Sequence, residues 1–419
     1  MTNSDQSIPS TAPAPAPTTT NQRIVAIDVL RGFALLGILL MNIQSFAMPD
    51  DAYSNPTAYG DLEGLNCYVW VFSHIFADQK FMTIFSLLFG AGVLLITDKL
   101  ESRGQSALGL HYRRNFWLLV FGLSHAFLLW TGDILTAYAL CAFWVYWLRK
   151  RSPTVLLIIG LLVFSVSPLL MLAGGASMDF MPAADLQELQ LDWQPTPEMI
   201  QKDLDVYRSG WLGQMEKRIP GGVDMLTSAF LFWSLWRAGG LMLIGMALYK
   251  WGILTAKRSN RFYIGMMVIG FGIGLPVVIY GMDQNFANDW TLGYSKFGAG
   301  GQFNYWASVF VSSGYIGTIM LIAKTGVLPK LQDALAAVGR MALTNYLLQT
   351  IICITIFYGH GLGLYGSVER TGQFAIVIAV WILQLIISPI WLQNFRFGPF
   401  EWLWRSLTYG KLQPMSVKR

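Results

Sequence analysis

Charge is scarce in this sequence. Only 13% of its 419 residues are Asp, Glu, Lys or Arg, against 54% hydrophobic, whereas a soluble domain carries roughly a quarter of its residues charged. So few charges cannot cover a water-exposed globule of this size. Cysteine is rarer still: Cys67, Cys141 and Cys353 are three in number and widely spread, which excludes a disulfide framework and a CxxC metal site. No metal is expected. The net charge is +5, but the basic residues fall in short clusters between apolar runs, and the lack of a continuous basic stripe excludes nucleic acid as a partner. Residues 1–22, MTNSDQSIPSTAPAPAPTTTNQ, lack both a basic n-region and an apolar h-region. They read as a disordered cytosolic tail, not a cleavable signal.

What the chain does have is apolar runs of about twenty residues, the length that crosses a hydrocarbon core of about 30 Å. The expected fold is all-α, a polytopic membrane protein of about ten transmembrane helices whose solvent is the lipid bilayer. Spans are placed near 27–47, 81–97, 115–130, 134–148, 155–174, 226–249, 262–281, 303–323, 341–358 and 374–391. They make up a transmembrane domain over 23–397. An amphipathic cytosolic segment over 398–419 follows, in which Trp402, Trp404 and Phe400 suit the interface and Glu401 with Arg405 forms an i,i+4 pair.

Loop charge sets the orientation. With the N-terminus inside, the cytosolic segments hold Lys99, Arg103, Arg113 and Arg114, then Arg149, Lys150 and Arg151, then Lys250, Lys257, Arg258 and Arg261, then Lys324, Lys330 and Arg340. The tail adds Arg396, Arg405, Lys411, Lys418 and Arg419. The first outer loop, 48–66, holds Asp50, Asp51, Asp61 and Glu63 with no Lys or Arg. This asymmetry puts both termini in the cytosol and the long 176–225 loop outside, as a connector with one or two amphipathic helices.

Charged and polar residues inside spans are costly, so they are the candidate functional residues. Asp28 and Arg31 open the first span, three residues apart and on one helical face. Asn42 lies on that face about 16 Å further along. Asp78 and Lys80 precede the second span, and Arg237 lies midway along the sixth with no local partner of opposite sign. His125, of four histidines, is the one within a span, and Asp133 follows it eight residues later. The two touch only if the chain bends at Thr131 and Gly132; otherwise Asp133 is an N-cap and His125 a packing residue. Asn345 and Gln349 form a polar stripe suited to interhelical hydrogen bonds, and Gly270 with Gly274 a small-xxx-small pair for close packing.

The segments DVLRGFALLGILLMN (28–42), KFMTIFSLLFGAG (80–92), SHAFLLWTGDIL (124–135), GRMALTNYLLQT (339–350) and GPFEWLWR (398–405) together resemble the YeiB family. This is a domain-of-unknown-function group of bacterial inner-membrane proteins, and the likeness covers essentially the whole chain after the tail. It implies an inner-membrane location and brings no reaction. More distantly, the first span is similar to the transmembrane acyltransferase superfamily, whose members often open on an Asp-x-x-Arg-Gly helix followed by a His eleven residues after the Arg. Asp28, Arg31 and Gly32 match; the His position is Asn42. An amide cannot act as a general base, so His125 is the substitute.

The leading expectation is therefore an acyltransferase that takes an acyl group from a cytosolic thioester such as acyl-CoA, a co-substrate and not a bound cofactor. His125, Asp133 and Asn42 are its catalytic candidates. Asp28, Arg31, Arg237, Asn345 and Gln349 are its candidates for binding the donor or a lipid ligand. A permease for an anionic solute and a non-catalytic scaffold are the alternatives, and assembly as a homo-oligomer stays open. The topology is directly testable: an impermeant thiol reagent added to intact cells should label a cysteine placed at Asp192 and leave one placed at Ser106 unlabelled. Labelling at Ser106 overturns the orientation.

Overall fold

The computed structural model describes residues 24–417; the tail segment 1–22, Arg23 and the terminal Lys418 and Arg419 lie outside the described residues. The described chain forms α1 (Val25–Ala47), α2 (Asp51–Ser54), α3 (Gly64–Phe76), α4 (Lys80–Glu101), α5 (Leu108–Leu128), α6 (Leu135–Val145), α7 (Pro153–Ser177), α8 (Ala183–Trp193) and α9 (Pro197–Tyr207). It continues with α10 (Met215–Leu226), α11 (Leu235–Lys250), α12 (Asn260–Ala287), α13 (Ala299–Thr325), α14 (Pro329–Arg340), α15 (Ala342–Phe357), α16 (Arg370–Asn394) and α17 (Pro399–Tyr409). Helices dominate because hydrocarbon offers no partner to a backbone N–H or C=O, and a helix satisfies them within one segment. Several start as their sequences dictate. The Ser152, Thr196 and Ser259 side chains accept N–H bonds from Val155, Met199 and Phe262, and Pro153 and Pro197 open their helices.

Seven described helices or continuous helical segments are long and apolar enough to cross a membrane, and eight if α14 and α15, bent by 82° about Met341, count as one span. The fold is thus an all-helical membrane protein. Enclosure ranks the spans. The apolar window of α1 is 78% buried, against 22% in α12 and α16. So α1 is the central post, touching α4, α13, α14, α15 and α16, and α12 and α16 turn most of their surface outward to lipid.

One element departs from the sequence reading. The apolar run at 67–76 is too short to register as a span, so 48–66 reads as a loop and the second span opens at Phe81. In the structure α3 and α4 form one 38-residue segment, roughly 57 Å of helix, broken at Ala77–Gln79, where Gln79 takes φ +64°. Phe81 fills the space a side chain would need at Gly37, halfway along α1. The break therefore lies at mid-depth, and Lys80 is fully buried there and does not sit at the span's outer end.

Two further contacts refine the reading. Glu401 does not lie exposed beside Arg405: it is buried, and its carboxylate accepts the Leu343 and Thr344 N–H groups at 2.6 and 3.0 Å, capping α15 where the 82° bend leaves them free. The 176–225 loop carries three helices, α8, α9 and all but the last residue of α10, and docks as a cap. Trp211 Nε1 and Arg218 Nη1 donate to the Leu128 carbonyl at 2.8 and 3.1 Å, and Arg208 Nε to that of Tyr365 at 2.8 Å.

Small residues set the helix spacing. As expected, Gly270 and Gly274 let α12 lie against Phe310, Val311 and Gly314 of α13. Between α4 and α11 a Cβ on Gly90 would land on the Met242 carbonyl, and one on Gly245 on the Leu87 carbonyl. Gly245→Val should therefore force these helices apart at a cost of roughly 1–3 kcal/mol or more and lower the thermal midpoint in detergent. Gly92→Val, at a position with open space around it, serves as control. Equal midpoints for the two variants overturn the close packing.

Candidate functional site

The chain does bend after α5. The Leu129 and Trp130 N–H groups both fold back onto the His125 carbonyl at 3.0 and 2.9 Å, and the turn through Thr131 and Gly132 returns Asp133 to His125. Asp133 Oδ1 lies 2.9 Å from His125 Nδ1, both side chains being 1% exposed. Its other oxygen accepts the Thr136 N–H at 2.7 Å, at the start of α6. The carboxylate is thus both the helix cap and the histidine partner. Gly122 makes room for this turn, since a side chain there would strike Thr136 and Asp133.

His125 Nε2 lies 2.9 Å from Thr350 Oγ1 on α15. An imidazole that donates Nδ1–H to the carboxylate leaves Nε2 free to accept from the Thr350 hydroxyl, which also lies 3.5 Å from the Tyr346 carbonyl. Tyr346 and Trp130 flank the ring at 5.2 and 6.1 Å. Thr350 and Tyr346 are absent from the sequence-derived candidates, because nothing in the spacing of α5 and α15 shows that they touch.

The other candidates sit elsewhere. Arg31 pairs with Asp28 at 2.7 Å and approaches the Gly339 carbonyl at 3.5 Å, where α1 meets α14. Asn42 is half-buried further along α1. Asn345 Nδ2 donates to Ser388 Oγ at 3.0 Å and Gln349 Nε2 to Gln384 Oε1 at 3.0 Å, the interhelical bonds expected of that stripe. Among the described residues no hydrogen bond joins Arg31, Asn42 or Arg237 to His125 or Asp133.

Arg237 instead belongs to a second cluster at the mid-depth break. Its Nη2 donates to Ser308 Oγ at 2.9 Å, Thr83 Oγ1 at 3.0 Å and the Gln79 carbonyl at 3.4 Å. Lys80 Nζ donates to the His74 carbonyl at 2.8 Å and to Asn304 Oδ1 at 2.6 Å. Asn304 Nδ2 reaches Asp78 Oδ2 at 2.6 Å, and His74 Nδ1 lies 3.3 Å from the same oxygen. His74 and Asn304 are missed by the sequence reading because their place depends on the helix break.

Beneath the cap is a cavity of about 250 Å³, lined among others by Asp50, Asp51, Asp203, Lys217 and Thr131, the last in the turn that carries Asp133. Asp50 accepts a hydrogen bond from Ser45 at 2.8 Å, but loss of bulk hydration dominates and pushes its carboxyl up to about 6; the same cause lifts Asp51 to about 6. Values above the ordinary 3.8 mean that this pair stabilises the fold fully below about pH 4 and that the contribution is lost as pH rises through about 6. The double variant Asp50→Asn, Asp51→Asn should therefore have a higher thermal midpoint than the parent at pH 7.5, the gain shrinking at pH 5. A gain equal at both pH values refutes this.

Comparison with known proteins places the chain in a family and adds no reaction. Residues 248–411 match the family described as Protein of unknown function (DUF418). The chain is 34% identical over 401 residues to the uncharacterized protein YeiB of Escherichia coli (strain K12), covering 95% of this chain and 99% of that one. It is 35% identical over 427 residues to the uncharacterized protein YxaH of Bacillus subtilis (strain 168), covering 96% and 98%. An uncharacterized 39.9 kDa protein from Bacillus acidopullulyticus is 27% identical over 404 residues, covering 96% and 99%. Likeness of this extent, end to end in two distinct bacteria, means that the chain belongs to the YeiB family.

Proposed function

We propose that the protein is a bacterial inner-membrane acyltransferase that takes an acyl group from a cytosolic thioester and passes it to a hydroxyl-bearing acceptor reached from the cap face. The reading adds α5 and the α6 segment to the apolar helices, giving about ten spans with both termini cytosolic and the cap outside. The observation that carries it is the enclosed Asp133–His125–Thr350 chain, with 2.9 Å at each step. An imidazole oriented by a carboxylate on one nitrogen and facing a hydroxyl on the other is arranged to take up a proton. Because Nε2 faces Thr350, the acceptor's proton passes through that hydroxyl. Arg31, near the N-terminal end of α1, offers a guanidinium to the anionic part of the donor, and Asp28 holds it in place.

A second reading, a permease, has one specific observation in its favour. The α3–α4 break at mid-depth is the kind of discontinuous helix on which transporters build solute sites.

The two readings separate on His125. Under acyl transfer, His125→Ala should reduce transfer from acyl-CoA at least a hundredfold while leaving expression and donor binding intact, and Arg31→Ala should raise the donor Kd. Full transfer by His125→Ala, or no thioester binding by the purified protein, moves the weight to the permease.

A further inference from the structure

The break between α3 and α4 collects more positive than negative charge. Lys80 and Arg237 are both 0% exposed, and neither makes an ion pair among the described residues. Asp78 is the carboxylate that acts on both, and it reaches Lys80 only through the Asn304 amide. Lys80 and Arg237 against Asp78 leave one unbalanced positive charge at mid-depth, where an uncompensated charge is at its most costly.

Arg237 also has donors to spare. Of the five N–H groups on a guanidinium, those on Nη2 serve Thr83, Ser308 and, at longer range, the Gln79 carbonyl, while Nε and Nη1 make no hydrogen bond of ordinary geometry, the Tyr305 hydroxyl standing nearby. Tyr305, Phe164 and Trp233 surround the cation at 4.5, 5.5 and 5.5 Å and spread part of its charge, but an aromatic face accepts no further in-plane N–H bond. On the cap side of the group, Tyr53 of α2 is 36% exposed and feels the charges of both Asp78 and Arg237.

We propose that the break is a binding site for one small monoanion of the carboxylate class, held by the unused N–H groups of Arg237 and the field of Lys80, and entered from the cap face past Tyr53. A carboxylate suits it because a planar guanidinium presents donors in the fork that a planar oxyanion accepts. One negative charge brings the cluster to neutrality. The site is separate from the His125–Asp133 pair and does not rest on acyl transfer.

The test uses the full-length protein in detergent at low ionic strength. Its thermal midpoint is followed by tryptophan fluorescence while sodium acetate is added, with sodium sulfate at matched ionic strength as control. Acetate should raise the midpoint saturably and sulfate should not. Arg237→Gln should raise the half-saturating acetate concentration at least tenfold. Charge balance makes a two-sided demand that a purely structural role does not: Lys80→Gln, which removes the excess charge, should weaken acetate binding about tenfold, and Asp78→Asn, which adds to it, should strengthen binding. This pair decides the matter even if Arg237→Gln fails to fold. An acetate response no different from sulfate, or Lys80→Gln and Asp78→Asn shifting affinity in the same direction, overturns the site. A response that chloride reproduces in full overturns the carboxylate class.

Discussion

A carbonyl released where a helix breaks inside hydrocarbon has no water to turn to, and in this protein a cation takes the place of water. Lys80 Nζ donates to the His74 carbonyl at the end of α3, while Arg237 Nη2 adds a longer bond to the Gln79 carbonyl, which Thr83 of α4 already engages. Positive charge at a helix C-terminus also meets the negative end of its dipole. Both cations are anchored elsewhere in turn: Lys80 to Asn304 on α13, Arg237 to Ser308 on α13 and Thr83 on α4. The break thereby ties α3, α4, α11 and α13 together beside α1. The close contacts at Gly37, Gly90 and Gly245 bring those helices near enough for the short polar side chains to reach.

The protein holds two Asp–His pairs in opposite circumstances. In His125–Asp133 both side chains are 1% exposed and each imidazole nitrogen has a partner, so any chemistry there runs through Thr350. In His74–Asp78 the side chains are 11% and 14% exposed, and the carboxylate is shared with Asn304. The first is closed off from water; the second sits within a cationic group. The acyl-transfer proposal rests on the first and the permease reading on the helix break beside the second, so the two lead to different residues.

Much of this was legible in the chain. Scarce charge, twenty-residue apolar runs and the placing of Lys and Arg between them determine an all-helical membrane protein, because hydrocarbon admits few other solutions. The i,i+3 pairing of Asp28 with Arg31 and the interhelical role of Asn345 and Gln349 follow from helical spacing alone. The TGD turn announced a place where His125 and Asp133 meet if the chain folds back, and it does.

What lay beyond the sequence depends on contacts between segments distant in the chain. A ten-residue, mostly apolar run such as 67–76 is too short to register as a span by itself. It becomes half of one only because Phe81 packs into the space at Gly37 and sets the break at mid-depth. Thr350 is 225 residues from His125, and Asn304 is 224 from Lys80. Glu401 reads as half of a surface pair until the 82° bend at Met341 exposes two N–H groups for it to cap. Local spacing decides which residues share a helix face; only tertiary packing decides which faces meet, because that choice follows from shape and charge balance summed over the whole bundle.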